Sequence, residues 1–246
     1  MMRKCFARSS WHPLLFAALG VLGAILPSRA ADPKELDALL KKQVEVKKGD
    51  RIVFLGDSLT FLGGKEEPKQ HVTKGFVSIV KETLNEKHPD KNIDCDWVST
   101  GGGTVQTLLS LLDKALAKKP TIVVIQIGCN DARGSTPEKF KAGLEELNDK
   151  LKKAEVRVVQ CTCTSVGEKH DGTNQHDKKL EEFAEIAREV AVAKQVPLLD
   201  LRKAFVEHWK KNNPDNKASG ILTYDGNHWN DTGNKFVAEL MLTKFK

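Results

Sequence analysis

The 246-residue chain carries 39 Lys and Arg against 33 Asp and Glu, with 40% hydrophobic and 6% aromatic residues. Its net charge of +6 is not gathered into basic clusters interleaved with aromatic residues, so the composition gives little support to nucleic-acid binding. The length is sufficient for one sizeable α/β domain with a full core.

The first thirty residues have the layout of a secretory signal peptide. Three Lys or Arg residues among the first eight precede the apolar run 14–26, which is short for a membrane span, and small residues lead up to Ala30. We expect cleavage after Ala30 and a secreted or periplasmic protein, with an uncleaved N-terminal anchor as the alternative. The leader holds four of the basic residues and no acidic one, which leaves 35 basic against 33 acidic residues, or +2, in a single domain at 31–246 without a membrane span.

Beyond the leader, short apolar runs alternate with longer amphipathic stretches. Near-continuous β-branched and apolar character predicts five strands, at 51–55, 93–98, 121–127, 156–162 and 196–201. Such runs are typical of strands that are covered on both faces, as in parallel sheets.

Helical periodicity fills the intervals between the strands. The predicted helices are 32–42, 74–88, 104–119, 136–154, 176–195 and 231–245. Thr136 is placed to cap the fourth of them, with Pro137 at its first helical position. This alternation predicts one doubly wound, flavodoxin-like, five-stranded parallel sheet with helices on both faces. Ligands bind outside the carboxyl ends of the strands in such folds, so polar residues that follow strands carry the most functional weight.

The cysteines do not suggest a metal or a disulfide framework. The four beyond the leader lie in or beside apolar runs, and no CxxC or metal-ligand spacing is present; they are Cys95, Cys129, Cys161 and Cys163. We expect buried free thiols, and neither a metal nor a cofactor. The alternative of Cys129 as a nucleophile lacks a second base pointing to it.

The residues that follow the strands are those that acyl transfer requires. Ser58 follows the first strand, the glycine run 101–103 the second, and Asn130 the third, while Asp225 and His228 precede the last helix. A serine hydroxyl needs a base such as histidine, and the histidine needs a carboxylate that fixes its tautomer. Backbone N–H groups and an asparagine amide can form an oxyanion hole. Each residue alone reads as a turn or cap, but their joint occurrence favours catalysis.

Three stretches, GDSLT (56–60), GCND (128–131) and DGNH (225–228), resemble the blocks of the SGNH hydrolases, also called GDSL-type esterases and lipases. The resemblance spans residues 51–245. It implies Ser58 as nucleophile, His228 as base and acid, and Asp225 as the orienting carboxylate. The implied oxyanion hole combines the backbone N–H of Ser58, a glycine N–H and the side chain of Asn130.

The second block departs from the family pattern. The family has Asn-x-Gly-x-x-Gly, whereas this chain reads STGGGT at 99–104. We assign the oxyanion glycine to Gly101, the first after the strand, although an alignment anchored on TVQTLL moves the assignment toward Gly102. A G-x-S-x-G elbow is absent from the sequence, which argues against an ordinary α/β-hydrolase. Asp57, beside the serine, is expected to shape the turn.

These residues predict a serine esterase that hydrolyses short-chain, acetyl-type esters of a hydrophilic or carbohydrate alcohol through an acyl-enzyme. Low aromatic content and short polar loops favour a small acyl group. The alternatives are a lipid-directed esterase, similar to a lysophospholipase or thioesterase, and a non-catalytic glycan-binding module on the same fold. The polar loop 168–179 is predicted to lie over the active face and to contact substrate; its His and Asp residues match no common metal spacing.

Overall fold

The computed structural model describes residues 31–65 and 72–246, so the predicted signal peptide lies outside the described residues. In this part of the chain the strands are β1 (Arg51–Gly56), β2 (Asp94–Ser99), β3 (Ile122–Gln126), β4 (Arg157–Cys161) and β5 (Leu198–Leu199). The helices are α1 (Pro33–Lys41), α2 (Ser58–Gly63), α3 (Phe76–Lys87), α4 (Val105–Ala117), α5 (Asp131–Gly134), α6 (Pro137–Lys153), α7 (Asp177–Lys194), α8 (Leu201–Asn212) and α9 (Asp231–Leu242).

The five strands form one parallel sheet in the order β2-β1-β3-β4-β5. In register, Ile52 of β1 lies opposite Cys95 of β2 on one side and Ile122 of β3 on the other. The predicted doubly wound, flavodoxin-like α/β fold is therefore confirmed. The chain reverses its direction of winding between β1 and β3, which is where such sheets bind ligands, outside the carboxyl ends of the strands.

Alternate residues of the strands enter two separate core layers. Ile52 and Phe54 of β1 pack with buried residues of α3, α8 and α9, whereas Val53 and Leu55 pack with those of α4, α6 and α7. Complete burial of a side chain of this size stabilises the fold by about 1.5–3 kcal/mol. Helices thus cover both faces, and the strand ends are held between two packed layers.

The end of the sheet differs from the sequence prediction. The strand predicted at 196–201 is too long, because only Leu198 and Leu199 pair with β4. Asp200 instead accepts a hydrogen bond from the backbone N–H of Lys203 and caps α8, a helix that the hydrophobic pattern did not predict. The cap predicted at Thr136 and Pro137 is confirmed, since Thr136 accepts from the N–H of Lys139 at the start of α6.

Neither a membrane-spanning helix nor a candidate metal cluster is present among the described residues. Across 31–65 and 72–246 the helices are either too short or too polar to cross a membrane. In the same residues no three His, Cys, Asp or Glu side chains gather closely enough to hold a metal ion.

Candidate active site

Ser58 lies at the turn between β1 and α2. Asp57 is fully buried and caps α2, because its Oδ1 accepts a hydrogen bond of 3.0 Å from the N–H of Leu59. At Gly56 a Cβ atom would lie 2.1 Å from Thr60 Oγ1, so only glycine permits the backbone to turn this closely. The turn leaves Ser58 half-buried as the first residue of α2, at the carboxyl edge of the sheet.

His228 and Asp225 come from the loop between α8 and α9. The Nε2 atom of His228 lies 3.1 Å from Ser58 Oγ, and its Nδ1 atom lies 2.7 Å from Asp225 Oδ2. The other oxygen of Asp225 accepts from the N–H groups of Asn227 and His228, at 2.9 and 2.7 Å. A proton on Nδ1 satisfies Asp225 and leaves the Nε2 lone pair facing the serine hydroxyl. The fold thus joins three sequence-predicted residues into one hydrogen-bonded chain.

The electrostatics of this loop favour an ionised Asp225. Burial by itself would raise the pKa of Asp225, but the hydrogen bonds from the His228 ring and from the N–H groups of His228 and Asn227 outweigh it and lower the pKa. The ring of Tyr224 stacks on His228, with centroids 5.8 Å apart and planes 18° apart. Partial burial, with the nearby charge of Asp225, raises the pKa of Tyr224, so its hydroxyl stays neutral near pH 7.

The side-chain amide of Asn130 is held in one orientation. Its Nδ2 donates to the carbonyl of Gly103 at 2.9 Å, and its Oδ1 accepts from Arg133 at 2.5 Å. The amide nitrogen carries two protons. The second proton has only a distant acceptor, Asp57 Oδ2 at 3.5 Å from the nitrogen, and is available to a substrate oxygen.

Hydrogen bonds from the segment after β3 hold the glycine run after β2 in place. Besides the bond from Asn130 to Gly103, Asp131 Oδ1 accepts from the N–H of Val105 at 3.0 Å, which ties the start of α4 to the same loop. The N–H of Gly103 donates within its own turn, to Thr100 at 3.3 Å. Gly101 and Gly102 are exposed. The choice between Gly101 and Gly102 as oxyanion donor stays a prediction.

Two carboxyl groups are buried beneath the site. Burial raises the pKa of Asp57 from 3.8 to about 7, and the charge of Asp131 adds to the shift. Burial likewise raises the pKa of Asp131 to about 6. Asp57 contacts Leu59 and Asn130, so it serves the turn, and the carboxylate that bonds to the ring of His228 is that of Asp225.

Cys129, between Gly128 and Asn130, does not have the character of a nucleophile. Its thiol is fully buried and lies 3.4 Å from Thr164 Oγ1, and burial raises its pKa to about 11. A thiol of that pKa is almost wholly protonated near neutral pH. The four cysteines of the described residues are all free and buried, as predicted.

The loop 168–179 lies against the segment that leads to His228. His170 donates from its backbone N–H to Asn216 and from its ring to the carbonyl of Asn213, both at 2.9 Å. Contact of this loop with substrate stays a prediction. Sequence reasoning missed Arg133, Tyr224 and Glu168, all of which contact the candidate site or its supporting segments. Only Tyr224 gave a local signal, because it directly precedes the DGNH stretch.

Comparisons with known proteins identify the family and the fold. The model of the GDSL-like Lipase/Acylhydrolase family matches residues 54–236. The solved structure of the acetyl xylan esterase AlAXEase is 34% identical, covers 78% of this chain and 98% of its own, and superposes with a TM-score of 0.72. A comparison with curated proteins gives no match.

Two further structures share the fold at lower identity. The acetylxylan esterase Axe2 from Geobacillus stearothermophilus is 20% identical over 82% of this chain and 96% of its own, with a TM-score of 0.70. LAE5, an alpha/beta hydrolase enzyme from the metagenome of Lake Arreo, Spain, is 20% identical over 80% of this chain and 95% of its own, with a TM-score of 0.69.

Proposed function

Because the chain belongs to the GDSL-like lipase/acylhydrolase family and is a serine ester hydrolase, we propose that Ser58, His228 and Asp225 cleave short-chain, acetyl-type esters of a hydrophilic or carbohydrate alcohol. The observation that carries the assignment of these residues is the continuous hydrogen-bonded chain from Ser58 Oγ through both ring nitrogens of His228 to Asp225. This is the arrangement that activates a serine hydroxyl near neutral pH.

In the first half of the reaction, Ser58 Oγ attacks the ester carbonyl carbon while His228 Nε2 removes the hydroxyl proton. Asp225 stabilises the imidazolium that forms, through its 2.7 Å bond to Nδ1. The tetrahedral intermediate then collapses, the bond to the alcohol oxygen breaks, and His228 gives its proton to that oxygen. The products of this half are the free alcohol and an acyl ester on Ser58.

In the second half, water replaces the alcohol. His228 removes a proton from the water as it attacks the acyl carbon, and the proton then passes to Ser58 Oγ as the acyl bond breaks. The carboxylic acid leaves and the starting hydroxyl is restored. Both halves use one base in one position, which the bond to Asp225 maintains.

The negative charge on the carbonyl oxygen requires fixed donors. The N–H of Ser58 stands at the start of α2, where helical N–H groups have no partner within the helix. We assign the other two donors to the N–H of Gly101 and to Asn130 Nδ2, whose orientation Arg133 and Gly103 hold. Loss of one such donor costs about 10²- to 10³-fold in kcat.

The substrate proposal rests on similarity and composition. AlAXEase, the 34% identical protein, is an acetyl xylan esterase. The aromatic content of 6% gives little material for a long acyl tunnel. We therefore assign an acetyl ester of a carbohydrate as the substrate class.

Turnover of p-nitrophenyl acetate by wild type, Ser58→Ala and Ser110→Ala tests the nucleophile. Ser110 is the control, because it lies on an exposed face of α4 and its hydroxyl donates a hydrogen bond to the carbonyl of Thr107. We expect Ser58→Ala to lose activity by about 10³-fold or more and Ser110→Ala to retain it. Equal rates in wild type and Ser58→Ala refute the proposal.

Acyl preference is tested separately. We expect kcat/KM to be highest for p-nitrophenyl acetate and to fall for octanoate, and acetate to be released from acetylated xylo-oligosaccharides. A preference for chains of eight or more carbons would instead assign the protein to lipid-type esters.

We also propose that the protein is exported, with cleavage after Ala30. The basic start followed by an uncharged apolar run supports this. N-terminal sequencing of the protein recovered from its native host is expected to begin at Ala31; a chain that begins at Met1 would refute cleavage.

A further inference from the structure

A second buried carboxylate lies close to the catalytic loop. The side chain of Glu168 is wholly buried. Its Oε1 accepts from the N–H groups of Leu222 and Thr223, at 2.7 and 2.6 Å, and from Thr223 Oγ1 at 2.8 Å, while its Oε2 accepts from the N–H of Ile221 at 2.7 Å. All four partners are donors, which is what a carboxylate needs when it is removed from water.

These donors directly precede the loop that carries Asp225 and His228. The hydroxyl of Thr223, which donates to Glu168, accepts in turn from the N–H of Gly226 at 3.0 Å. The carbonyl of Gly226 accepts from the N–H of Gly167 at 2.6 Å. Glu168 and its neighbour therefore hold the loop both at its entry and at Gly226, the residue between Asp225 and the Asn227–His228 pair.

The backbone of the loop leaves little freedom for adjustment. Gly226 has a φ of +87°, and a Cβ atom there would lie 3.2 Å from the carbonyl oxygen of Ala218. Thr223 pairs with Trp229 as an antiparallel bridge, and the N–H of Tyr224 donates to the carbonyl of His228 at 3.0 Å. A shift at residues 221–223 is thus passed on to His228 through the bridge.

Glu168 is itself fixed by the protein on its other side. Its N–H donates to the carbonyl of Ala218 at 3.0 Å, and its carbonyl accepts from Asn213 Nδ2 at 2.9 Å. Three residues earlier, Ser165 accepts from the buried guanidinium of Arg202, which also pairs with Asp177 of α7. The carboxylate is therefore a fixed point against which the catalytic loop is set.

We infer that Glu168 is a positioning residue of the esterase: its carboxylate, through residues 221–223 and the Thr223 hydroxyl, sets the Asp225–His228 pair against Ser58. This inference rests on the proposed function. Proton transfer from Ser58 depends on a contact of 3.1 Å between Oγ and Nε2, and a displacement of about 1 Å can cost 10²-fold in rate. Displacement of the loop that carries Asp225 and His228 lowers kcat. The oxyanion hole is formed by other loops, so the binding of the acyl group there is unchanged.

The test is Glu168→Gln in the whole protein with p-nitrophenyl acetate. The variant keeps the size of the side chain but turns an NH2 group toward backbone N–H donors. We expect kcat to fall by about 10- to 100-fold, with KM changed by less than about 3-fold.

Thr223 supplies a rescue pair. Thr223→Val keeps the shape but removes the hydroxyl that joins Glu168 to Gly226, so kcat should fall, while Thr223→Ser should stay within about 2-fold of wild type. Because Glu168 and Thr223 act through one path, Glu168→Gln/Thr223→Val should be no slower than the slower single variant.

Asp50→Asn is the matched control. Asp50 is buried and accepts from a backbone N–H, of Lys47, and from Arg157, but it lies just before β1 at the opposite end of the sheet. We expect the free energy of unfolding in urea to be lower for Asp50→Asn than for wild type, while kcat of the folded protein is unchanged. In a proton NMR spectrum, the signal of the His228 Nδ1 proton, identified by its loss in His228→Gln, should move in Glu168→Gln but not in Asp50→Asn.

The outcomes separate the two proposals. If wild type is no faster than Ser58→Ala, the proposed function fails. If wild type is active and folded Glu168→Gln keeps kcat within about 2-fold, or loses it only in proportion to its unfolded fraction, the positioning role is overturned. If Glu168→Gln does not fold, equal kcat in Thr223→Val and Thr223→Ser overturns it.

Discussion

Single side chains decide the chemistry of this site, and Asp225 is one that can be tested alone. One of its oxygens holds the Nδ1 proton of His228, and the other accepts two backbone N–H groups. In Asp225→Asn an NH2 group would replace one of these acceptors, so His228 would lose either its preferred tautomer or its orientation. We expect kcat for p-nitrophenyl acetate to fall by about 10²- to 10⁴-fold.

The control for this variant is Asp215→Asn. Asp215 is exposed and pairs loosely with Lys217, in the segment that leads to the same loop. Its replacement should leave kcat unchanged. Activity of Asp225→Asn close to that of Asp215→Asn would contradict the role of Asp225.

Asp57 makes a prediction about stability rather than rate. Its pKa is raised from 3.8 to about 7 by burial, so between pH 4 and pH 7 the folded state holds a proton that the unfolded state has lost. The contribution of Asp57 to the free energy of unfolding therefore falls as the pH rises through this window. Asp57→Asn keeps a capping oxygen for Leu59 without the charge.

The expected difference is in the free energy of unfolding in urea. The free energy of unfolding of Asp57→Asn minus that of wild type should be larger at pH 8 than at pH 4.5. The increase should be on the order of 1 kcal/mol or more. Asp131 is present in both proteins, so its own titration cancels to a first approximation. A difference that does not change with pH would show that Asp57 titrates normally.

At the scale of elements, the sequence predicted the strands and helices that have a clear hydrophobic pattern. Strands with continuous apolar character and the long amphipathic helices were found near their predicted positions, because each carries its own periodic signal. The short helices α2 and α5 and the helix α8 were not predicted. The first two are too short to show a period, and α8 begins at Leu201, at the end of the run 196–201 that was predicted as a strand.

The candidate site divides in the same way. Four residues of the candidate site could be predicted from their type and order, because each follows a strand or precedes a helix in a recognisable stretch. They are Ser58, Asn130, Asp225 and His228. Glu168 acts through contacts that only the folded chain creates, because it lies more than 50 positions from the amides it binds. No local pattern marks such residues.

A buried ion pair joins Arg188 of α7 to Asp200, the residue that caps α8. Both side-chain nitrogens of Arg188 that face Asp200 bond to it, at 2.9 and 3.1 Å, and both groups are almost fully buried. Arg188→Met would leave the Asp200 carboxylate without its cation. We expect the free energy of unfolding in urea to fall by about 3 kcal/mol, with kcat of the folded enzyme retained.

An exposed pair gives the comparison. Lys203 and Glu207 lie on the surface of α8 with their charged atoms 4.0 Å apart. Lys203→Ala should change the free energy of unfolding by less than about 1 kcal/mol. Equal losses in Arg188→Met and Lys203→Ala would contradict the importance of the buried pair.

At the scale of the whole molecule, the sheet gathers distant segments at one edge and encloses the thiols between its layers. Cys95, Cys129, Cys161 and Cys163 are buried, and burial raises the pKa of each. We expect iodoacetamide at pH 8 to leave these four unmodified in the native protein and to modify all four in urea, as judged by peptide mapping. Esterase activity should survive the native treatment; its loss on modification of Cys129 would restore that residue as a catalytic candidate.

The most direct test of the central claim, that Ser58 is a nucleophile activated by His228, is covalent labelling with a fluorophosphonate followed by peptide mapping. One adduct per chain is predicted, located on Ser58, with labelling slowed by about 10²-fold or more in His228→Gln. An adduct on another residue, or none on folded wild type, would contradict the account.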